Sequence, residues 1–423
     1  MQTREITPKE KIDTSISIPG SKSYANRALV IAALAKGETI LSNVPSCDDV
    51  KYMIEAIKLL GAKVVRTSPT QINITSPEQL HYDGEIDVGG AGTTMRFLTS
   101  LISLGVGNVT LTGNARMCER PIEDLVQALN TNIDGTIIAK NKTDKGERCP
   151  PLKINSLGLK GGVIKLEGDT SSQYLTSIIL CAPKAKKEVK VEIIGELTSK
   201  PFVDMTIDVM KEFGVEVINN NYENFIVPKT NYNPREYFIE SDSSGVSYFL
   251  AAAAILGGKI RINNINPNSA QGDIHFIEIL EKMGCKTTKA ENYLELESTG
   301  ELNGIEIDMN SMIDTVQTLA VIASVAKGTT KITNVANLKV KETNRIAALK
   351  NELTKCGISV EAGDDYLIIE GGKPKGVTIS TYDDHRMAMS FAVLGLKVPG
   401  VKIENHTCVT KSFPEFWELF ESL

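Results

Sequence analysis

An apolar run rich in small residues, closed by Gly or a polar break and followed by a short alternating stretch, recurs six times along the chain. It reads NRALVIAALAKGETILSNV from Asn26, MRFLTSLISLGVGNVTLTG from Met95 and YLTSIILCAPKAKKEVKVEII from Tyr174. It returns as SYFLAAAAILGGKIRINNI from Ser247, VQTLAVIASVAKGTTKITNV from Val316 and RMAMSFAVLGLKVPGVKIEN from Arg386. A period of about 70 residues marks a repeated supersecondary unit. The runs predict buried helices, each leading into a strand.

A second helix follows each time, with apolar residues at i, i+3, i+4 and i+7, the stripe of a helix that buries one face. Ile122, Leu125, Val126 and Leu129 show it, as do Phe276, Ile279, Leu280 and Met283, and Phe413, Phe416, Trp417 and Phe420. Several of these helices stop at a glycine (Gly61, Gly214, Gly284, Gly357), the residue that best fits a left-handed helix end. Strand-like AKVV, VEVI or ISVE comes next. The sixth unit runs out of chain after its second helix, so its missing strands are expected from the N-terminus, where Ile16–Ile18 alternates apolar and polar. Two similar domains of three units each follow, residues 1–20 plus 241–423 and residues 21–240. That closure favours two domains over a single six-unit solenoid, and the functional site is expected in the cleft between them.

With 423 residues, 42% hydrophobic and 23% charged, the chain suits a soluble protein of two or three domains. The longest apolar run, about Tyr248 to Gly257, is far short of the roughly 18 residues a membrane helix needs. The polar N-terminus has no apolar targeting core, and the seven scattered cysteines form no CxxC, so a reducing cytoplasm is expected. Four histidines without ligand spacing argue against a metal. The net charge of −6 argues against a nucleic-acid partner, so an anion site must be built locally.

Small polar residues precede each first helix: SKS at Ser21, GAGTT at Gly90, TSSQ at Thr170, SDSSG at Ser241, IDT at Ile313 and YDDH at Tyr382. Singly, each reads as a helix cap. Helix N-termini also bind anions, and cations cluster at the same places. Lys22 and Arg27 open the first helix, Arg96 follows GAGTT, Arg116 and Arg120 bracket RMCERP, Arg386 follows His385, and Lys411 precedes the last helix. Lys341 and Arg345, spaced i, i+4, are expected to share a helix face. Arg suits bidentate contact with phosphate or carboxylate and Lys offers a point charge, so the substrates should be polyanionic. Asp314 reads equally well as a cap or a catalytic carboxylate, and Glu342 as an ion-pair partner or a catalytic group. Asp48, Asp49, Asp383 and Asp384 read as caps.

GSKSYANRALVIAALAKG, GAGTTMRFL, RMCERPIEDLV, SSQYLTSIIL and GELTSKPFVD resemble the N-terminal-half motifs of the EPSP synthases. IDTVQTLAVIASVAKGTT, NLKVKETNRIAALKNEL, YDDHRMAMSFAVLGL and VTKSFPEFW resemble those of the other half, in order over essentially the whole chain. The resemblance implies an α/β fold, the two-domain inverted α/β barrel of the enolpyruvyl transferases, with six βαβαββ repeats, three per domain. It implies transfer of the enolpyruvyl group of phosphoenolpyruvate to the 5-hydroxyl of shikimate 3-phosphate by addition and elimination. No metal or organic cofactor, no nucleic acid and no membrane is expected to take part, and a monomer is expected. Shikimate 3-phosphate would be held by Lys22, Ser23, Arg27, Ser171, Ser172, Gln173, Ser199, Asp314, Asn337 and Lys341. Phosphoenolpyruvate would be held by Lys22, Gly92, Arg120, Gln173, Arg345, Arg386 and Lys411. By the same resemblance Asp314 accepts the proton of the attacking hydroxyl, Glu342 donates one, and Lys22 and Lys411 belong to the catalytic set.

The chain departs from the commonest family pattern at Gly90, Phe97 and Phe202. The sister transferase acting on UDP-N-acetylglucosamine uses a cysteine five residues before the loop arginine. Ala115 stands there in this chain, and Cys118 lies only two residues before Arg120. A non-catalytic phosphate- or RNA-binding repeat protein would leave Asp314, Glu342 and Lys411 without a shared purpose.

Overall fold

A computed structural model describes residues 2–423. Two helices fall in each repeat. They are α1 (Lys22–Leu34) and α2 (Asp48–Leu59), α3 (Gly92–Leu104) and α4 (Glu123–Asn130), α5 (Ser172–Cys181) and α6 (Pro201–Glu212) in the first three. The last three contain α7 (Ser243–Leu256) and α8 (Phe276–Lys282), α9 (Val316–Ala323) and α10 (Arg345–Lys355), α11 (His385–Lys397) and α12 (Phe416–Glu421). Contacts divide the chain into two compact units, Gly20–Glu240 and Met1–Pro19 with Ser241–Leu423.

The first helix of each repeat is apolar all round, and it is buried accordingly. In α7 every residue from Ser243 to Ile255 is buried, and in α11 every residue from His385 to Leu396. The helices α1, α3 and α5 pack on one another in one unit, and α7, α9 and α11 do so in the other. Small hydroxyls let these backbones approach and satisfy one another. Ser247 and Thr318 lie 3.2 Å apart and Thr318 and Ser390 3.3 Å, which links α7, α9 and α11. Each fully buried Leu or Ile adds about 1.5–3 kcal/mol, so the six helices form the two cores. The second helices are amphipathic, as their stripes predict. Phe413, Phe416 and Phe420 bury their rings against Phe249 of α7 and one another, with centroids 5.0–6.1 Å apart.

One sheet covers each repeat. In the second repeat Gly84–Asp87 runs parallel to Val106–Thr112, and the hairpin Ile133–Lys142 and Arg148–Leu159 completes four strands. The parallel pair flanks α3, so the N-terminus of α3 sits at the end of the leading strand. The first, third, fourth and fifth repeats follow the same order, and the sixth has three strands. Helices α2 and α6 end at Gly61 and Gly214, with φ of +104° and +82°.

The N-terminus differs from the sequence expectation. The strand containing Ile16 does not complete the sixth repeat. Ile12–Ser17 leads the fourth, parallel to Gly258–Asn263 with Ile12 opposite Gly258 and Ser17 opposite Asn263. The sixth sheet is completed by Thr3–Glu5, antiparallel to Lys402–Glu404. Thr3–Glu5 has no apolar alternation to announce it, whereas Ile12 and Ile16 point into the core. In the other unit, Glu236–Phe238 returns to run parallel to Glu38–Ser42 and leads the first repeat. Among the described residues no helix is long and apolar enough to cross a membrane.

Candidate functional site

In the unit Gly20–Glu240 the starts of α1, α2, α3 and α5 are tied together by side chains. Lys22, the first residue of α1, places Nζ 2.8 Å from Asp49 Oδ2. Asp49 is not the cap that its position suggests. It is buried inside the first turn of α2, behind the N-cap Cys47, and serves as the counter-ion of Lys22. Its main-chain carbonyl accepts from Thr94 Oγ1 at 3.1 Å, which joins α2 to α3. Gln173 Nε2 donates to Thr93 Oγ1 at 3.3 Å, which joins α5 to α3, while Ser171 caps α5.

Helix α3 begins differently. Its N-cap is Ala91, with no side-chain cap among the described residues, so GAGTT leaves the helix end to its backbone N–H groups. A β-carbon on Gly92 would lie 2.6 Å from Arg120 Nη1, so the guanidinium rests against that glycine. The turn carrying Arg120 is held by two donors to the Pro121 carbonyl, Tyr174 Oη at 2.6 Å and Arg96 Nη2 at 3.3 Å. Arg96 also donates to the Gly92 carbonyl at 3.2 Å, so it braces the loop. Arg116 instead pairs with Glu119 at the surface.

Arg27 is buried and spends its guanidinium on neutral acceptors. It donates to Thr206 Oγ1 (2.8 Å), the Ser23 carbonyl (2.9 Å) and the Phe202 carbonyl (2.8 Å). Burial lowers its pKa to about 10, and it remains a cation at neutral pH. Its guanidinium lies 5.5 Å from the Phe97 ring centroid, so the Phe97 departure supplies an aromatic face beneath it. Ser199 is held at φ +54°, a strained setting for a non-glycine residue, just before α6.

In the unit containing residues 241–423, a buried ionic network gathers the starts of α9, α10 and α11. Arg345, 1% exposed, donates Nε to Asp384 Oδ2 at 2.8 Å, Nη2 to Asp384 Oδ1 at 3.2 Å and Nη2 to Glu342 Oε2 at 2.9 Å. Its Nη1 reaches Asp314 Oδ1 at 3.3 Å. Asp314 Oδ2 accepts from Arg386 Nη2 at 2.7 Å, so one carboxylate bridges two arginines. Arg386 Nη1 donates to Tyr248 Oη at 3.2 Å. Lys411 Nζ stands 3.9 Å from Glu342 Oε1. Burial pulls both guanidiniums down, but Asp384, Glu342 and Asp314 outweigh it for Arg345, and Asp314 chiefly does so for Arg386. Burial pushes the Tyr248 phenol up to about 12.

The structure decides one reading that the residues left open, bears out a second and overturns a third. Asp314 caps no helix, because it lies in the turn Asn310–Thr315 and its carboxylate is taken by Arg345 and Arg386. Asp384 does cap α11, accepting from the Arg386 N–H at 2.9 Å, and the same carboxylate anchors Arg345. Lys341 and Arg345 do not share a helix face: α10 begins at Arg345 behind the Asn344 cap, and Lys341 is extended backbone after the turn Ala336–Val340. Asn337 lies in that turn. Asp48 pairs with Lys51 on the surface, and Asp383, at φ +55°, accepts from Asn405.

The family model of EPSP synthase (3-phosphoshikimate 1-carboxyvinyltransferase) matches residues 6–420. This chain belongs to the EPSP synthase family. The 3-phosphoshikimate 1-carboxyvinyltransferase of Vibrio vulnificus is 43% identical over 432 residues, covering 100% of this chain and 99% of its own. That of Sulfurovum sp. is 44% identical over 430 residues, with the same coverage. The structure of EPSP synthase from Acinetobacter baumannii superposes with a TM-score of 0.79 at 26% identity, covering 100% of this chain and 98% of that one. EPSP synthase homology thus agrees with the repeats and the inverted α/β architecture read from the sequence. Asp49, Tyr248 and the anchoring role of Asp384 were missed. The doubled Asp48-Asp49 and Asp383-Asp384 at helix starts were the available signal, since one cap needs only one carboxylate.

Proposed function

We propose that this chain transfers the enolpyruvyl group of phosphoenolpyruvate to the 5-hydroxyl of shikimate 3-phosphate, releasing phosphate. The observation that carries the proposal is the network in which Asp314 bridges Arg345 and Arg386 beside Glu342 and Lys411. An alcohol is a poor nucleophile at neutral pH, so addition to C2 needs a positioned base, and Asp314 is that base. The carboxylate and phosphate of phosphoenolpyruvate would take over arginine contacts now held by Asp314. A carboxylate relieved of an arginine holds a proton more tightly, so substrate binding itself would ready the base. Glu342, protonated for the addition, would hand a proton to C3 and take one back from the same carbon as phosphate leaves, while the hydroxyl proton held by Asp314 passes to the departing phosphate. Lys22, Arg120 and Lys411 would hold the departing phosphate.

Shikimate 3-phosphate would draw on Lys22, Ser23, Arg27, Ser171, Ser172, Gln173 and Ser199 of one unit and on Asp314, Asn337 and Lys341 of the other. Phosphoenolpyruvate would draw on Lys22, Gly92, Arg120 and Gln173 with Arg345, Arg386 and Lys411. The seven cysteines, all free, suit the reducing cytoplasm, and no step calls for a second copy of the chain.

Phosphate release in the presence of phosphoenolpyruvate tests the acceptor. Release is expected with shikimate 3-phosphate and not with UDP-N-acetylglucosamine. Release only with the nucleotide sugar would move the chain to the sister reaction, and release with neither would leave a binding protein. At Gly92, alanine would force its methyl group against Arg120 Nη1. Gly92→Ala is expected to raise the KM for phosphoenolpyruvate about tenfold, some 1.4 kcal/mol, with a thermal midpoint close to native. An unchanged KM would remove Gly92 and Arg120 from that subsite.

A further inference from the structure

A second carboxyl lies behind the network, and neither the sequence motifs nor the proposed mechanism uses it. Asp273 occupies the turn Gly272–His275, which packs against α7, α8 and the Asn310–Thr315 turn that carries Asp314. It is 5% exposed. Its Oδ2 accepts a hydrogen bond from the Ser244 hydroxyl in the first turn of α7, and its Oδ1 finds no hydrogen-bond partner among the described residues. Ser244, which holds Asp273, and Tyr248, which accepts from Arg386, lie one turn apart on α7, and the charged groups acting on Asp273 are Asp314 from the neighbouring turn, Arg386 from α11 and Asp242 at the cap of α7. On the side of α8, Glu278 is turned outward, where it pairs with His275 and Lys289.

We propose that Asp273 is a positioning residue for Arg386: a buried carboxyl that competes with phosphoenolpyruvate for the arginine's charge. This inference rests on the assignment of Arg386 to the phosphoenolpyruvate subsite. Arg386 has one positive charge and already faces Asp314. A protonated Asp273 leaves the rest of that charge to an incoming anion, and an ionised Asp273 takes part of it. Burial and the Asp314 charge hold the Asp273 carboxyl at a pKa of about 7, so the change falls within the working pH range. The proton leaves to solvent as pH rises, and the subsite becomes one unit less positive.

The test is the KM for phosphoenolpyruvate between about pH 6 and pH 8.5 in the native protein, Asp273→Asn and Ser244→Ala. The native KM is expected to rise with an inflection near pH 7 by roughly three- to tenfold, the scale of one charge acting on a neighbouring one inside a protein. Asn keeps an acceptor for Ser244 but cannot ionise, so Asp273→Asn should lose the inflection and keep the low KM. The ionisation of phosphoenolpyruvate itself is common to all three proteins and cancels in the comparison. The Ser244 hydrogen bond lowers the Asp273 pKa, so Ser244→Ala should move the inflection to higher pH.

Stability gives an independent reading. A carboxyl whose pKa is raised by folding stabilises fully below its unfolded value, and that contribution is lost as pH rises through the folded value. Asp273→Asn should therefore gain in thermal midpoint relative to native at pH 8 compared with pH 5. An inflection unchanged in both variants would overturn the inference while leaving the subsite assignment standing. A KM for phosphoenolpyruvate that is also unaffected by Arg386→Gln would overturn both.

Discussion

Asp314→Asn is expected to lower kcat by roughly three orders of magnitude, within the range a positioned general base supplies, with little change in thermal midpoint. Asn is nearly isosteric and keeps an oxygen that one arginine can reach, but it cannot accept the hydroxyl proton. The fold should tolerate the change because neither arginine is stranded. Arg345 retains Asp384 and Glu342, and Arg386 retains Tyr248. Steady-state phosphate release beside a thermal melt checks both halves of the expectation. Turnover within a few-fold of native would remove Asp314 from the base role and leave it a structural ion-pair partner.

Asp384→Ala should act on stability first. Asp384 is fully buried, holds Arg345 through two hydrogen bonds and caps α11 through a third. Removing one partner of a buried ion pair costs about 3–5 kcal/mol where the charge is left alone, and less where, as here, Arg345 keeps Glu342 and Asp314. Loss of the cap adds about 1 kcal/mol, less whatever the relaxed network recovers. In a unit of this size a thermal midpoint lower by about 10 °C follows. Asp384→Asn keeps the cap acceptor and should fall roughly half as far. An Ala variant melting within about 2 °C of native would show that Arg345 does not depend on Asp384.

The repeats were legible because burial writes itself into sequence. A helix surrounded on all sides, such as Ser243–Leu256, must be apolar throughout, and a half-buried one such as Glu123–Asn130 must be striped. Strand partners were less legible. Ile12–Ser17 alternates whether it pairs with Gly258–Asn263 or with the sixth repeat, since both offers bury the same face. The pairing is decided by Thr3–Glu5, a strand of three polar residues whose only sequence trace is its length.

The site divides in the same way. Cations at helix starts could be read from spacing, because a charge repeated at equivalent positions is hard to explain as solvated surface. Their counter-ions could not. Asp49 and Asp384 occupy cap positions, and only three-dimensional packing shows that one holds Lys22 and the other Arg345. Lys341 and Arg345 kept helical spacing in a segment that is extended, because the Asn344 cap delays α10 until Arg345. Asp273 left no motif at all: a single carboxyl in a turn becomes notable only once it is buried with one oxygen unpaired.

Addition followed by elimination passes through a methyl group at C3 of the former phosphoenolpyruvate, and this is where the chemistry assigned to Asp314 and Glu342 is most exposed to measurement. Turnover of phosphoenolpyruvate and shikimate 3-phosphate in deuterium oxide, read by mass spectrometry of the product, follows that carbon directly. Deuterium in the product's vinyl methylene is the expected result. Product formed at full rate with no deuterium there would contradict protonation and deprotonation at C3, and with it the roles given to the two carboxylates.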